Sequence, residues 1–384
     1  MRNFQVGIPS GDGVPSPLSG GRIPSLDGLR ALSITFVLLA HLCGTRFFVL
    51  GTDVFRVLGD FGNLGVRIFF IISGFLITSL LLKERVTDGR ISLKNFYIRR
   101  VLRIFPAAYA FISIIWIAGI LGLLQVGRAD FLAACSYTMN YLRPHGWNLG
   151  HLWSLAVEEQ FYLIWPLALC VAGKKRGMLV AGIMFALGPL TRYACTHYAP
   201  DCVWLGDNSF LSNADALASG CLLSGLWGRL GISKHYYRFQ RSWLFLVVPL
   251  VAGVCVSTSL YMKGLKVSLL NVCIALCIDW CVRRHDVVIG RILNWRPIAF
   301  VGVLSYSLYL WQQPFLNRSS FHFINAFPVN LLLAFTLAAV SYFCVEIQFL
   351  KLRKRFLAKK VPVAPSPRTV RNLVTSELVE SQPP

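Results

Sequence analysis

Acidic residues are scarce in this sequence, and charge of either sign is sparse. The 384 residues include 17 Asp and Glu against 38 Lys and Arg, and charged residues make up only 14% of the chain. Hydrophobic residues make up 55%, and the mean hydropathy is +0.59. A soluble domain of this length would carry far more charge, so the composition indicates a polytopic membrane protein.

Other absences narrow the class further. Residues 1–24 have no apolar core, so no cleavable signal peptide is expected, and we find no internal repeat and no second soluble domain. The net charge of +21 is spread in short clusters between apolar runs, which is typical of membrane topology rather than nucleic-acid binding. Cys273, Cys277 and Cys281 share a helical face without a paired histidine or carboxylate nearby, so we expect packing residues and no metal site.

Ten apolar segments are long enough to span a bilayer. They lie near residues 27–44, 64–82, 104–125, 151–172, 177–194, 209–228, 242–260, 265–282, 297–317 and 328–349. Basic clusters occupy alternate connections, so the positive-inside rule places both termini in the cytoplasm. The predicted fold is an all-α bundle of about ten transmembrane helices. Disordered ends over 1–24 and 356–384 flank a membrane domain over 25–355.

The first apolar segment carries an acid, a guanidinium and an imidazole between residues 26 and 41. On a helix that advances about 100° and 1.5 Å per residue, Arg30 and His41 fall roughly 20° apart and roughly 16 Å apart along the axis. Asp27 lies roughly 40° from His41 on the same face. Ionisable groups inside a bilayer are costly, so this face indicates a functional site, with a helix-packing histidine as the alternative.

Two further pairs of charged residues lie in or beside apolar segments. Arg100 and Arg103 are one helical turn apart at the predicted cytoplasmic boundary, where paired guanidiniums suit a phosphate-bearing ligand. Topology signals or lipid headgroup contacts would explain them equally well. Glu158 and Glu159 lie roughly 10–13 Å into the fourth segment from its external end. We expect one of these carboxylates to meet His41 within the bundle.

Additional polar residues within the apolar segments are candidates for acceptor binding or for structure. Arg67 lies near the external end of the second segment, and Asp215 interrupts the sixth. Tyr306, Trp311 and Gln312 give the ninth segment a polar, aromatic character, for which an interfacial belt is the alternative.

A disulfide is expected between Cys195 and Cys202. Both lie in the predicted external loop 191–209, and Pro200 and Asp201 between them favour a turn. The outside of a bacterial inner membrane is an oxidising compartment, so such a bond would persist there. Two unpaired thiols are the alternative.

Taken together, the motifs resemble the acyltransferase family 3 integral membrane proteins. The matching stretches are 26–41, 65–78, 96–106, 153–166, 215–220 and 304–314, in the expected order. The resemblance implies a ten-span bundle, an acyl-CoA donor at the cytoplasmic face and an acceptor that is often outside. It implies that Arg30 and His41 are essential. It also matches the family's paired arginines and acid pair to Arg100, Arg103, Glu158 and Glu159.

Three departures from the family pattern stand out. Many members carry a histidine after the ninth-span tryptophan, where this chain has Gln312 and Gln313. The last span of the family usually ends in Glu, a basic residue and Pro, whereas Glu346 is followed here by Ile347 and Gln348. Long members have an appended external esterase-like domain, which we do not expect in this chain.

The predicted function is acyl-CoA-dependent O-acyl transfer, with acetyl-CoA as the expected co-substrate and a carbohydrate or other envelope acceptor. His41 is the predicted base, and Glu158 or Glu159 is expected to orient its ring. We expect a multi-pass protein of the bacterial inner membrane with no permanently bound cofactor and no nucleic-acid partner.

The binding site for the acyl-CoA donor is predicted to consist of arginine guanidiniums. Arg30, Arg100 and Arg103 are expected to hold CoA, and Asp27 is expected to fix Arg30. Two rival classes remain open: a transporter or flippase that uses the buried charges for binding, and a sugar-binding receptor without turnover.

Overall fold

The computed structural model describes residues 23–48, 52–257 and 263–358. Throughout these ranges the regular structure is helical, and they contain no strand. The expected disorder of residues 1–22 and 359–384 concerns positions outside the described residues. The last described helix continues to Ala358, and the division into a membrane domain and a tail from residue 356 stays a prediction.

Fifteen α-helices follow one another along the described chain. They are α1 (Leu26–Leu42), α2 (Thr52–Asp88), α3 (Leu93–Ile120), α4 (Arg128–Cys135), α5 (Trp147–Gly150), α6 (Leu152–Tyr198), α7 (Val203–Asn208), α8 (Phe210–Ile232), α9 (Lys234–Arg241), α10 (Val247–Ser257), α11 (Lys263–Arg283), α12 (Val288–Leu293), α13 (Arg296–Phe315), α14 (Val329–Ser341) and α15 (Ile347–Ala358). A π-helical turn, Tyr342–Glu346, joins α14 to α15. All ten predicted apolar segments overlap these helices.

Five helical stretches of the described chain are long and apolar enough to cross a membrane. The number becomes six if Lys234–Arg241 and Trp243–Cys255, which meet at 72°, form one broken span. Helix α1 is short, at 17 residues, and polar side chains lower the hydropathy of α8 and α13. An integral membrane protein follows from these helices, and the finer count of ten spans remains a prediction.

The 47-residue helix α6 reverses direction at Gly173. This residue has φ 72° and ψ 178°, a conformation that glycine adopts without steric penalty. A Cβ atom on Gly177 would lie 3.9 Å from the Cα of Leu169, although eight residues of straight helix would separate them by about 12 Å. The predicted break between the fourth and fifth segments is therefore confirmed.

Small residues allow the central helices to pack closely. A Cβ atom on Gly74 of α2 would collide with the carbonyl oxygen of Leu217, and one on Gly220 of α8 would collide with that of Ile71. Helices α2 and α8 therefore approach each other closely at these two glycines.

Contacts at the two ends of α1 fix its direction relative to α2 and α13. Helix α13 runs parallel to α1, because Gly302 lies against Asp27 and Gln312 lies against His41. Helix α2 runs antiparallel to α1, because Gly65 lies against Ser33 whereas Gly62 lies against Ala40.

The segment predicted as an external loop, 191–209, is largely helical. Helix α6 continues to Tyr198, so Arg192 is buried inside the bundle rather than exposed in a loop. Cys195 and Cys202 are both free thiols, and the predicted disulfide between them is not formed. The helical backbone directs the Cβ atom of Cys195 toward α7. A Cβ atom added to Gly206 of α7 would lie 3.3 Å from it.

Candidate active site

His41 lies in the last turn of α1, where α13 passes beside it. Its Nδ1 atom lies 2.8 Å from Oε1 of Gln312, whose side chain is completely buried. The amide nitrogen of Gln312 donates to Oε1 of Gln313 at 3.0 Å, so the carboxamide oxygen faces the imidazole. Nδ1 therefore carries the proton that Gln312 accepts, and Nε2 of the neutral ring retains the lone pair.

Trp147, the first residue of α5, supports the imidazole of His41. Its ring meets the His41 ring edge-on at 5.7 Å between centroids. The Trp147 indole donates to the carbonyl oxygen of Gln313 at 2.7 Å, and the Gln313 amide donates to the carbonyl oxygen of Trp147 at 3.0 Å. These two hydrogen bonds attach α5 to the end of α13 and hold the indole against His41.

A cavity of about 470 Å³ opens beside this imidazole. Helices α1, α2, α5 and α13, with the start of α6, supply most of its wall. Its polar and aromatic lining includes His41, Asn63, Arg143, His145, Trp147, His151, Trp153, Asn208, Tyr309, Gln313 and Arg318. A cavity of this size accommodates a small-molecule substrate. Because His41 lines the cavity, a bound substrate can reach its imidazole.

The expected contact between His41 and the acid pair does not occur among the described residues. Ser73 of α2 donates to Oε1 of Glu158 at 2.7 Å, whereas Gly62 of the same helix lies beside Ala40. Eleven residues separate these two positions on α2, which places Glu158 roughly 16 Å along the helix axis from the level of His41. The expectation is wrong because His41 lies at the rim of the bundle, level with the start of α6.

The acid pair instead belongs to a charged cluster around Arg30. This guanidinium pairs with Asp27 at 3.5 Å, as expected, and interacts electrostatically with Arg103 and Glu158. Tyr162 lies between the helices and donates to Oε2 of Glu158 at 3.2 Å. Arg30 is eleven residues from His41 on α1, so the cluster lies about 16 Å from the imidazole along this helix too.

Arg100 and Glu159 complete the cluster. The Arg100 guanidinium lies over the Tyr162 ring, 4.9 Å from its centroid, and interacts electrostatically with Glu159 and Arg103. Oε1 of Glu159 is buried and makes no hydrogen bond within the described part of the chain. The structure thus brings together the three predicted donor arginines and both glutamates.

Other predicted site residues make structural contacts away from the cavity. Asp215 is fully buried and forms a bidentate ion pair with Arg192, with N–O distances of 2.5 and 3.2 Å. Arg67 reaches Oδ1 of Asn271 at 3.5 Å, a long contact. Tyr306 donates to the carbonyl oxygen of Ile104 at 2.8 Å.

Trp311 likewise packs inside the bundle. Its ring meets Phe111 edge-on at 5.2 Å, and its buried indole nitrogen makes no hydrogen bond within the described residues. Of the five residues predicted for acceptor binding or structure, Gln312 is therefore the one that contacts His41.

Several residues that line the cavity were not predicted from the sequence as site residues. His151 is 4% exposed, and neither ring nitrogen has a hydrogen-bond partner of normal geometry within the described residues. Its position beside Trp153, at the external start of the predicted fourth segment, was the available signal. His145 and Arg318 lie in polar connections, where nothing in the sequence separates them from ordinary loop residues.

Comparison with known proteins identifies the family. The family model described as "Acyltransferase domain" matches residues 23–347, which is most of the chain. The chain therefore belongs to this family of membrane acyltransferase domains, and the resemblance of its motifs is confirmed. No solved structure matches the chain significantly.

Two curated relatives are peptidoglycan O-acetyltransferases by name. OatA of Listeria monocytogenes is 30% identical over 359 residues, which cover 85% of this chain and 54% of the relative. YrhL of Bacillus subtilis, whose name is provisional, is 30% identical over 328 residues, covering 78% of this chain and 49% of the relative. The chain thus spans about half the length of these relatives.

Proposed function

We propose that this protein is an integral membrane O-acyltransferase that moves an acyl group from acyl-CoA to a hydroxyl group of a carbohydrate acceptor. The observation that carries the proposal is the imidazole of His41, which has Nδ1 committed to Gln312 and borders a cavity of substrate size. Acetyl is the expected acyl group, because the named relatives are O-acetyltransferases. A peptidoglycan glycan is one candidate acceptor on the same ground.

The reaction requires a base, a polarised thioester and exclusion of water. In the proposed mechanism, Nε2 of His41 takes the proton of the acceptor hydroxyl. At the same time, the oxygen of that hydroxyl attacks the thioester carbonyl carbon. The tetrahedral intermediate then collapses, the carbon–sulfur bond breaks, and the imidazolium returns the proton to the departing CoA thiolate. The products are an O-acyl ester and free CoA, so atoms and charge balance.

The cluster around Arg30 is the proposed binding site for the CoA phosphates, and Arg100 and Arg103 are its other cations. Guanidiniums bind phosphate oxygens through paired hydrogen bonds. The roughly 16 Å between this cluster and His41 is consistent with a donor held at two points, since the long pantetheine arm separates the phosphates of CoA from its thioester.

The proposed topology has ten spans and cytoplasmic termini in a bacterial inner membrane. It is supported by the directions of the helices, since α1 is parallel to α13 and antiparallel to α2, as strict alternation requires. The reversal of α6 at Gly173 supports counting this helix as two spans, the fourth and the fifth. This topology puts the Arg30 cluster on the cytoplasmic side, where acyl-CoA is made, and the His41 cavity on the opposite side.

A transporter or flippase of a glycan precursor is the rival function, since buried charges also serve substrate translocation. The two are separated by incubating the purified full-length protein in detergent with radiolabelled acetyl-CoA and a glycan acceptor. An acyltransferase releases CoA and labels the acceptor without any membrane gradient. Translocation of unmodified glycan in vesicles, with no CoA release in detergent, would contradict the proposed function and favour the rival.

A further inference from the structure

His151 is a buried imidazole whose ring nitrogens are left without a hydrogen bond. The residue precedes α6 and is only 4% exposed. Neither nitrogen has a partner of normal hydrogen-bond geometry among the residues that the structure describes, although the ring lines the cavity beside His41. The two imidazoles are close enough to interact electrostatically. A buried polar group that stays unpaired costs free energy, so its presence here calls for an explanation.

The surroundings of this ring are aromatic. Phe111 of α3 meets it edge-on at 5.6 Å between centroids, and Tyr309 of α13 packs on it at 5.3 Å. The Tyr309 hydroxyl donates to the carbonyl oxygen of His151 at 2.7 Å, which fixes the backbone without engaging the imidazole. Aromatic faces are weak hydrogen-bond acceptors, and a phenyl ring would fill this space as well as an imidazole does. Packing alone therefore does not account for a histidine at this position.

The backbone of α13 distinguishes the two ring nitrogens of His151. One of them faces the backbone of Leu310, without the geometry of a hydrogen bond. Pro314 has no N–H, so it cannot donate to the carbonyl oxygen of Leu310 four residues earlier in the helix. This carbonyl oxygen favours the proton on the ring nitrogen that faces it. The other nitrogen then carries the lone pair, whose partner must be an N–H or O–H donor.

The level of His151 in the bundle relates it to the donor rather than to the acceptor. Glu158 of the Arg30 cluster is seven residues further along α6, a distance of about 10 Å along the helix axis. His41 lies roughly 16 Å from the same cluster, so His151 is about one helical turn closer to it. Tyr309, which packs on His151, also lies three residues on the cluster side of the glutamine that contacts His41.

We propose that His151 binds the pantetheine arm of the acyl-CoA donor by accepting a hydrogen bond from the amide N–H nearest the thioester. Three bonds separate this nitrogen from the thioester sulfur, a span of roughly 4 Å and thus close to one helical turn. When the thioester lies within reach of the hydroxyl that His41 activates, the amide lies at the level of His151. The inference rests on the proposed function in extending the donor from the Arg30 cluster to the cavity.

The test uses a donor analogue that lacks this one N–H. In the analogue, an ester oxygen replaces the amide nitrogen nearest the sulfur of acetyl-CoA, and the phosphates are unchanged. Calorimetry without acceptor measures the binding of acetyl-CoA and of the analogue to the purified full-length protein in detergent.

Three variants of His151 are compared with the wild type. His151→Phe fills the space without a lone pair, whereas His151→Asn and His151→Gln carry amide oxygens that replace an acceptor nitrogen at either ring position. The control His235→Phe replaces an exposed histidine of α9 outside the cavity.

We expect the wild type to bind acetyl-CoA about tenfold more tightly than the ester analogue, because the analogue leaves the imidazole lone pair unpaired. His151→Phe binds acetyl-CoA more weakly and binds the two donors equally. Its melting temperature is unchanged or higher, since an apolar ring replaces an unpaired buried polar group. At least one of the two amide variants retains part of the discrimination, and His235→Phe discriminates as the wild type does.

Equal affinity of the wild type for the two donors would overturn the inference, as would full discrimination in His151→Phe. Acetyl-transfer kinetics supply a further check, because a raised KM for the carbohydrate with unchanged donor discrimination in His151→Phe would assign the ring to the acceptor instead.

The same kinetics separate this inference from the proposed function. Donor discrimination that depends on His151, without acetyl transfer to any carbohydrate, would refute the proposed function and leave the donor contact intact. Acetyl transfer by a wild type that does not discriminate between the donors would refute the contact and leave acyl transfer intact.

Discussion

The Nδ1 atom of His41 and the Oε1 atom of Gln312 are 2.8 Å apart, although the residues are 271 positions apart in the sequence. The contact joins the end of α1 to the end of α13 and fixes which imidazole nitrogen faces the cavity. It also gives Gln312 a role in the proposed reaction, as the group that orients the base.

The first prediction concerns this orienting contact. Gln312→Leu removes the acceptor of the Nδ1 proton, so the imidazole rotates and Nε2 loses the orientation in which it takes the proton of the hydroxyl. We expect kcat for acetyl transfer to fall about 100-fold with little change in KM, since small misplacements of a catalytic group have effects of this size. Gln312→Glu keeps an acceptor oxygen and should restore part of the rate. A Gln312→Leu enzyme with normal kcat would show that His41 does not depend on this partner.

The second prediction concerns the donor. Arg100→Gln combined with Arg103→Gln removes two guanidiniums of the Arg30 cluster, and acyl-CoA affinity measured by calorimetry should fall about tenfold or more. The control is Arg291→Gln with Arg296→Gln, which removes the same charge from exposed positions around α12 and should leave affinity unchanged. Equal acyl-CoA affinity in the two double variants would show that Arg100 and Arg103 are simple topology signals.

The third prediction concerns the buried ion pair. Asp215→Asn leaves the Arg192 guanidinium buried without its carboxylate, so the free energy of unfolding should fall by about 3–5 kcal/mol. Replacing both partners, as Arg192→Met with Asp215→Leu, should cost less than the sum of the two single changes, because neither charge remains uncompensated. Thermal unfolding in detergent measures both effects, and Asp286→Asn, at an exposed position, is the control. Normal stability of Asp215→Asn would show that the pair is not a structural requirement.

The fourth prediction concerns the contact of α2 with α8. Gly220→Leu would drive a side chain into the backbone at Ile71, so we expect a lower melting temperature and a lower yield of folded protein. Gly182→Leu is the matched control, because no atom lies within 4 Å of a Cβ at Gly182. Equal melting temperatures for the two variants would mean that α2 and α8 separate without loss of stability.

Periodicity and charge spacing were sufficient to predict most of the helical architecture. The gap between the predicted segments 151–172 and 177–194 marked the reversal at Gly173, and the spacing of Asp27 and Arg30 anticipated their ion pair. These are local relationships, which helix geometry determines from the sequence alone. Helix α6 continues to Tyr198, four residues beyond the predicted end of the fifth segment. The charge of Arg192 within that segment is compensated by Asp215 on α8, a contact that the sequence alone does not reveal.

The composition of the cavity could not be predicted in the same way. Its residues come from α1, α2, α5, α6, α13 and the connections between them, and their proximity depends on which helices pack together. The expected contact between His41 and the acid pair was wrong for a related reason. The level of His41 relative to Glu158 is set by the packing of α1 on α2, and hydropathy does not encode that register.

The proposed reaction depends most directly on the imidazole of His41. The decisive measurement is the initial rate of acetyl transfer from radiolabelled acetyl-CoA by purified His41→Ala, compared with the wild type at equal amounts of folded protein. Loss of the base predicts a fall of about 10²–10⁴-fold, with membrane insertion and thermal stability unchanged. A His41→Ala protein that transfers acetyl at the rate of the wild type would contradict the proposed mechanism.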